Sequence, residues 1–389
     1  LSSQSASEEF STPVLSADRR IKAKKYARIN RRLSFLEAVL SAALLLWLIF
    51  SGFSSEIVSF IGLPAVPAAV VYSLVLVVVY GVLSTPVNYY RGFVLARRYG
   101  LSNQGFAGWL GDSLQSGALT SILAISVVAI AYWAVGVLPE LWWLVVWGFL
   151  LVISLILSTL LPVVLIPMFY RTKPLEDENL KQRFTALAEK AGVSIKGVYT
   201  IEFSSKQTTA NAALMGMGRT RRVALSDTLL AEYSPEEIET VIAHELGHHK
   251  HRDFVGIFLF QALILFACLW ITGIAAGALA EPLGFGGMGD AAMLPLLILV
   301  FAIVNLILTP VSNAVMRSFE MAADDFAIRL TGNPQAFISM ITKLTQQNLG
   351  EVNPPLWVEL LLDDHPGYYR RISYARRFMR NNTETMNKG

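Results

Sequence analysis

Six apolar stretches of about twenty or more residues limit what this 389-residue chain can fold into more than any other feature. They cover roughly residues 33–53, 66–86, 118–138, 141–166, 254–280 and 291–315. A helix rises about 1.5 Å per residue, so each stretch can cross about 30 Å of hydrocarbon. Within lipid a backbone must satisfy its own hydrogen bonds, so each crossing has to be helical. Glu37, near the start of the first stretch, is the one awkward charge and fits at the interface. Composition agrees: 54% of residues are hydrophobic and 16% charged, with a mean hydropathy of +0.50, too apolar for an ordinary soluble domain. A net charge of +3 gives no footing for a nucleic-acid partner. The single cysteine, Cys268, excludes an intrachain disulfide and a four-cysteine zinc site.

Basic residues set the orientation. Eight precede the first apolar stretch, Arg91, Arg97 and Arg98 lie between the second and third, twelve lie in 171–253, and nine follow residue 315. The connections around residues 54–65, 139–140 and 281–290 hold none. All 32 therefore fall on one side of six spans, and the positive-inside rule places both termini and the soluble insert in the cytoplasm. One missed or invented span would break that alternation. The protein is expected in the cell membrane if prokaryotic and in the endoplasmic reticulum if eukaryotic. Residues 1–32 read as a disordered, basic tail, Ser-rich over 1–18, with no cleavable signal. Four spans follow in 33–169, a soluble insert in 170–253, two more spans in 254–315 and a polar tail in 316–389.

In the insert, Leu180, Phe184, Leu187 and Ala188 recur at helical spacing, GVYTIEF alternates like a strand, and ANAALMGMGRTRRVALS reads as two strands around a Gly-Arg-Thr turn. A second helix starts at SPEEIE: Ser234 caps it, Pro235 suits its first turn, and Glu237 completes a capping box.

That helix carries His244-Glu245-Leu246-Gly247-His248. Residues four apart share a helix face, so two imidazoles can reach one tetrahedral Zn²⁺. Glu245, one step round, is placed to take a proton from the attacking water and return it to the leaving amine. A five-residue pattern arises by chance, but here Val241, Ile242 and Leu246 fill the helix's other faces. His249 and His251 lie on different faces and read as interfacial polar residues rather than ligands.

A catalytic zinc takes three protein ligands. The third is sought in NAVMRSFEMAADDFA, where Asn313, Arg317, Glu320 and Asp324 share one helical face. Such a stripe is ordinarily a solvated surface, yet this one begins at the end of an apolar span, where unpaired charge is costly. A short turn joins the fifth and sixth spans, so they run antiparallel and bring His248 and Glu320 to similar depth. Glu320 is the expected third ligand, and Asp324 the acceptor for a zinc histidine's second ring N–H. His244 stands about 15 Å of helix from Phe254, which puts the metal at or just below the cytoplasmic interface.

Together with PVNYYRGFVLARRYGLSNQGF, LIPMFYRTKPLEDENLK, TTANAALMGMGRTRRVALSDTLL, LTQQNLG and HPGYYRRI, these motifs give the chain its family likeness. From about residue 26 to 378 it resembles the type I CAAX prenyl proteases, integral-membrane zinc endopeptidases that trim prenylated C-terminal CAAX sequences. The resemblance implies zinc ligation by His244, His248 and Glu320, and Glu245 as general base. It implies that Asn211 hydrogen-bonds the substrate backbone and that His365 and Arg371 lie near the zinc, His365 as a donor to the developing oxyanion. The chain departs from the eukaryotic members in having six spans rather than seven, HPGYY where HPPL is commoner, and His249 where Trp is usual. These departures suggest a compact prokaryotic relative.

The expected fold is mainly α: a polytopic helical membrane protein with about six transmembrane helices and a small α/β zincin-like cytoplasmic catalytic insert. One Zn²⁺ per chain, a peptide or protein substrate (prenylated, by the resemblance) and the lipid bilayer are its expected partners, with no nucleic acid. Two other functions fit some of the same residues. A quality-control protease would keep the chemistry without prenyl recognition. A metal transporter is disfavoured because the spans hold almost no ionisable residue.

Overall fold

A computed structural model describes residues 15–160, 164–216 and 221–386. The N-terminal Ser-rich segment up to residue 14 and the Gly218-Arg219-Thr220 turn lie outside the described residues. Among the described residues, six helices are long and apolar enough to cross a membrane. The first is α1 (Ala17–Phe50), followed by the short α2 (Phe53–Ile61). The second is α3 (Ala65–Tyr89), continued through a π-helical turn (Tyr90–Leu95) into α4 (Ala96–Arg98). Then come α5 (Phe106–Val137) and α6 (Trp142–Leu160). The short α7 (Ile166–Phe169), β1 (Thr172–Pro174), α8 (Glu178–Lys190), β2 (Gly197–Ile201), β3 (Ala212–Met215), β4 (Arg222–Ser226), α9 (Asp227–Glu232) and α10 (Pro235–Lys250) form the insert. The last two membrane helices are α11 (Asp253–Ala280) and α12 (Leu294–Thr331). The chain ends in α13 (Pro334–Gln347), α14 (Leu356–Leu361) and α15 (Tyr368–Met386).

The helices overrun the apolar stretches that announce them. The basic segment expected as a disordered tail through residue 32 is helical from Ala17. The sixth span is also longer than its apolar core: α12 continues past residue 315 to Thr331 and so includes Glu320 and Asp324. Hydropathy marks only the lipid-facing part of a helix, and polar residues prolong it wherever i→i−4 bonding continues.

Local rules account for the insert. Asp177 caps α8 by accepting the Asn179 and Leu180 N–H groups. In the capping box of α10, the Glu237 N–H donates to Ser234 Oγ (3.3 Å) and the Ser234 N–H to Glu237 Oε2 (2.8 Å). The sheet has the order β1-β2-β4-β3. β2 and β4 are parallel, whereas β1 and β3 run antiparallel to their neighbours and form the two edges. One hydrophobic core unites the insert with the helices near the C-terminus: Phe184, Leu225, Ile242 and Leu246 pack with Ile328 of α12, Phe337 of α13 and Ile372 of α15. That shared core locks α10 against α12.

Candidate active site

Gly247, inside the HELGH motif, lets the two helices meet. A Cβ there would stand 3.2 Å from the Ala323 Cα and 3.2 Å from the Phe326 Cβ on α12. Without that close approach Glu320 would not reach the histidines. As folded, His244 Nε2 lies 3.4 Å from Glu320 Oε2, and His248 Nε2 lies 3.5 Å from Glu320 Oε1. The ligand-capable atoms of the three residues all fall within 4.8 Å of one another.

These spacings are long for hydrogen bonds. They match two donors each about 2.0–2.1 Å from one tetrahedral ion, which stand about 3.3 Å apart. The other ring nitrogens are already engaged: His244 Nδ1 pairs with Asp324 at 3.0 Å, and His248 Nδ1 with Asp253 at 2.9 Å. A carboxylate on Nδ1 fixes the tautomer that leaves the Nε2 lone pair free. Two imidazole nitrogens and a carboxylate oxygen fit a catalytic metal with an open position. The electrostatics fit as well. Burial alone would lower the His244 pKa, but hydrogen bonding to Asp324 and Glu320 outweighs it and raises the value to about 10. His248 is also raised, with Glu320 and Asp253 overcoming burial. The pocket thus favours positive charge, which a bound cation would supply in place of protons.

Glu245 projects from the same helix towards β3. Burial pushes its carboxyl pKa up, partly offset by the two histidines and by the Leu214 backbone. His365 sits in the loop between α14 and α15, with Nδ1 2.7 Å from Asp364 and Nε2 3.5 Å from Glu320 Oε2. The Asp364 hydrogen bond raises its pKa against burial. Arg371, on the first turn of α15, grips Asp324 with two bonds, Nε to Oδ2 at 2.7 Å and Nη2 to Oδ1 at 2.5 Å. Asp324, with no side-chain exposure, thus holds His244 and Arg371 together.

Asn211 lies just before edge strand β3, and its Oδ1 accepts the Ala212 N–H at 2.8 Å. Among the described residues it has no hydrogen bond to a metal-site side chain; β3 reaches the site where the Leu214 backbone hydrogen-bonds Glu245, and the Leu214 carbonyl also accepts from His249 Nε2 at 3.3 Å, outside the metal group. The edge is closed one step earlier, where the Asn348 amide pairs with both the N–H (3.0 Å) and the C=O (3.1 Å) of Ala210. His251 packs edge-on to Phe326. Neither His249 nor His251 joins the metal group.

Asp253 and Asp364 go unnoticed in the sequence. Asp253 is five residues past His248, a spacing that puts it off the ligand face of a continuous helix. The helix is not continuous: Arg252 adopts a left-handed conformation (φ 59°) between α10 and α11. That turn brings Asp253 back to His248. Replacing Asp253 with Asn should weaken metal binding by about 10–100-fold while the fold is retained. A competitive metal titration checks this, and unchanged affinity would show that Asp253 does not orient His248.

Residues 174–378 match the family described as peptidase family M48, and residues 2–171 match the CAAX prenyl protease N-terminal family, described as having five membrane helices. This chain has four candidate spans in that region among the described residues. It is 28% identical over 362 residues to the "uncharacterized metalloprotease YhfN" of Bacillus subtilis, covering 91% of this chain and 85% of that protein. It is 29% identical to a CAAX prenyl protease 1 homologue of Oryza sativa, over 74% of this chain and 68% of the relative. To the CAAX prenyl protease 1 of Saccharomyces cerevisiae it is 28% identical, over 74% and 67%. The crystal structure of S. mikatae Ste24p has a similar fold, with a TM-score of 0.80 at 23% identity over 95% of this chain and 92% of that one.

Proposed function

This chain belongs to peptidase family M48 and is a multi-pass membrane metalloendopeptidase, and on that premise we propose that it works with one zinc ion per chain and cleaves prenylated, CAAX-type C-terminal peptides. The observation that carries the zinc reading is the convergence of His244 Nε2, His248 Nε2 and the Glu320 carboxylate while each Nδ1 is anchored to a carboxylate. Two nitrogens and one oxygen suit zinc better than magnesium or calcium, which favour all-oxygen shells. When bound, the ion polarises the scissile carbonyl and makes water nucleophilic near neutral pH.

The remaining steps fall to side chains. Glu245 removes the proton of the attacking water and delivers it to the leaving nitrogen; its burial tunes it towards that exchange. His365, its Nδ1 held by Asp364, presents Nε2 to the carbonyl oxygen as negative charge develops there. Asp324 and Arg371 keep the His244 ring in place. The peptide lies extended along the outer edge of β3, with Asn211 hydrogen-bonding its backbone.

The names of the plant and yeast relatives support a prenylated substrate. The placement of all 32 basic residues on one side of six spans supports a cytoplasmic active site. Similarity to a bacterial relative over 91% of the chain supports the cell membrane as its location.

The test is a pair of peptides, farnesylated and plain, hydrolysed by the detergent-solubilised protein before chelation, after it, and after zinc is returned. Chelation should abolish turnover and zinc should restore it. A few buried methylenes at about 0.8 kcal/mol each would favour the farnesylated peptide more than tenfold in kcat/KM. Equal rates on the two peptides would support a protease without prenyl recognition.

A further inference from the structure

Glu320 and Asp324 account for half of the polar stripe on α12; Asn313 and Arg317 point to a different partner. Both are buried, Asn313 at 9% and Arg317 at 8% exposure. Arg317 forms no ion pair with a carboxylate among the described residues. Its Nη1 donates to the carbonyls of Glu359 (2.9 Å) and Asp363 (2.5 Å), and Nη2 approaches that of Leu360 (3.5 Å). Asn313 Nδ2 donates to the Leu361 carbonyl at 2.9 Å. These carbonyls belong to the last turn of α14 and the residues after it, which a helix end leaves without partners. The buried cation and the bare carbonyls satisfy each other.

The gripped segment leads directly to Asp364 and His365. On the far side of His365, Arg371 is clamped to Asp324. The loop is therefore pinned at both ends to one face of one helix, and Glu320 lies on that face between the two fastenings. We infer that Arg317 and Asn313 are positioning residues, which hold the α14–α15 loop so that His365 Nε2 stays beside Glu320. This rests on the reading of His365 as oxyanion donor. A displacement of about 1 Å in such a donor can cost on the order of 100-fold in rate.

The test is a double-mutant cycle, with metal content and hydrogen exchange measured on each purified variant. Arg317→Met should lower kcat on the order of 100-fold, with KM and bound metal unchanged. Arg317→Lys should recover little, because one ammonium cannot replace the planar fork. In a His365→Ala background Arg317→Met should cost nothing further. A full additional loss there, or loss of the metal along with activity, would overturn the inference. If His365→Ala itself leaves kcat unchanged, the oxyanion reading fails first and takes the inference with it. Should Arg317→Met not fold, Asn313→Ala carries the test: the amides of 359–365 and 367 should exchange at least tenfold faster while those of α10 keep their rates. Unchanged exchange in that loop would show that the clamp holds nothing.

Discussion

Glu245→Gln should leave the metal bound and remove nearly all peptide hydrolysis. Glutamine keeps the volume and can still meet the Leu214 backbone, so α10 should pack unchanged. What it cannot do is accept a proton from water and pass it on. Positioned general acid–base groups contribute about 10²–10⁴-fold, and in the proposed mechanism one carboxylate serves both transfers, so the upper end of that range is expected. Metal content by elemental analysis, set beside turnover on the farnesylated peptide, checks this. Substantial turnover with Gln at position 245 would mean that another group moves the proton.

The second large effect concerns folding as much as catalysis. Asp324 is buried, with His244 on one oxygen and Arg371 on both. Asp324→Ala leaves a guanidinium that has lost its carboxylate partner and an imidazole N–H without an acceptor. Breaking a buried pair in this way costs about 3–5 kcal/mol, and losing the carboxylate behind a ligand histidine weakens metal binding by about 10–100-fold. Adding Arg371→Met should restore most of the stability but none of the metal affinity. Denaturant unfolding and metal titration read the two effects separately. If the double variant regained full metal affinity, Asp324 would not be acting through His244.

Much of this was legible in the sequence because the relevant signals are local. Ser234, Pro235 and Glu237 mark the start of α10 through backbone groups three residues apart. His244 and His248 share a face by helical period alone. The alternation of basic loops predicts six spans, and the described residues contain six helices of membrane-crossing length. Glu320 is reachable because two antiparallel spans joined by a short turn carry their ends to one level. The rest depends on breaks in period or on distant partners. Asp253 is hidden by the left-handed Arg252, since no spacing rule survives a reversal of φ. The amide of Asn348 sits against Ala210, 138 residues away, and nothing near either residue announces the other. The α1 helix from Ala17 is missed because hydropathy sees lipid contact and not helicity.

The unbroken course of α12 has a consequence of its own. At about 1.5 Å per residue its 38 residues span about 57 Å, nearly twice the hydrocarbon thickness of about 30 Å. Glu320 stands about 39 Å of helix from Leu294, about a turn and a half beyond the far boundary if Leu294 marks the near one. No loop intervenes to take up slack. The chain thus gauges the depth of its chemistry by residue count, and the acyl-chain length of the surrounding lipid becomes part of the dimensioning of the reaction site.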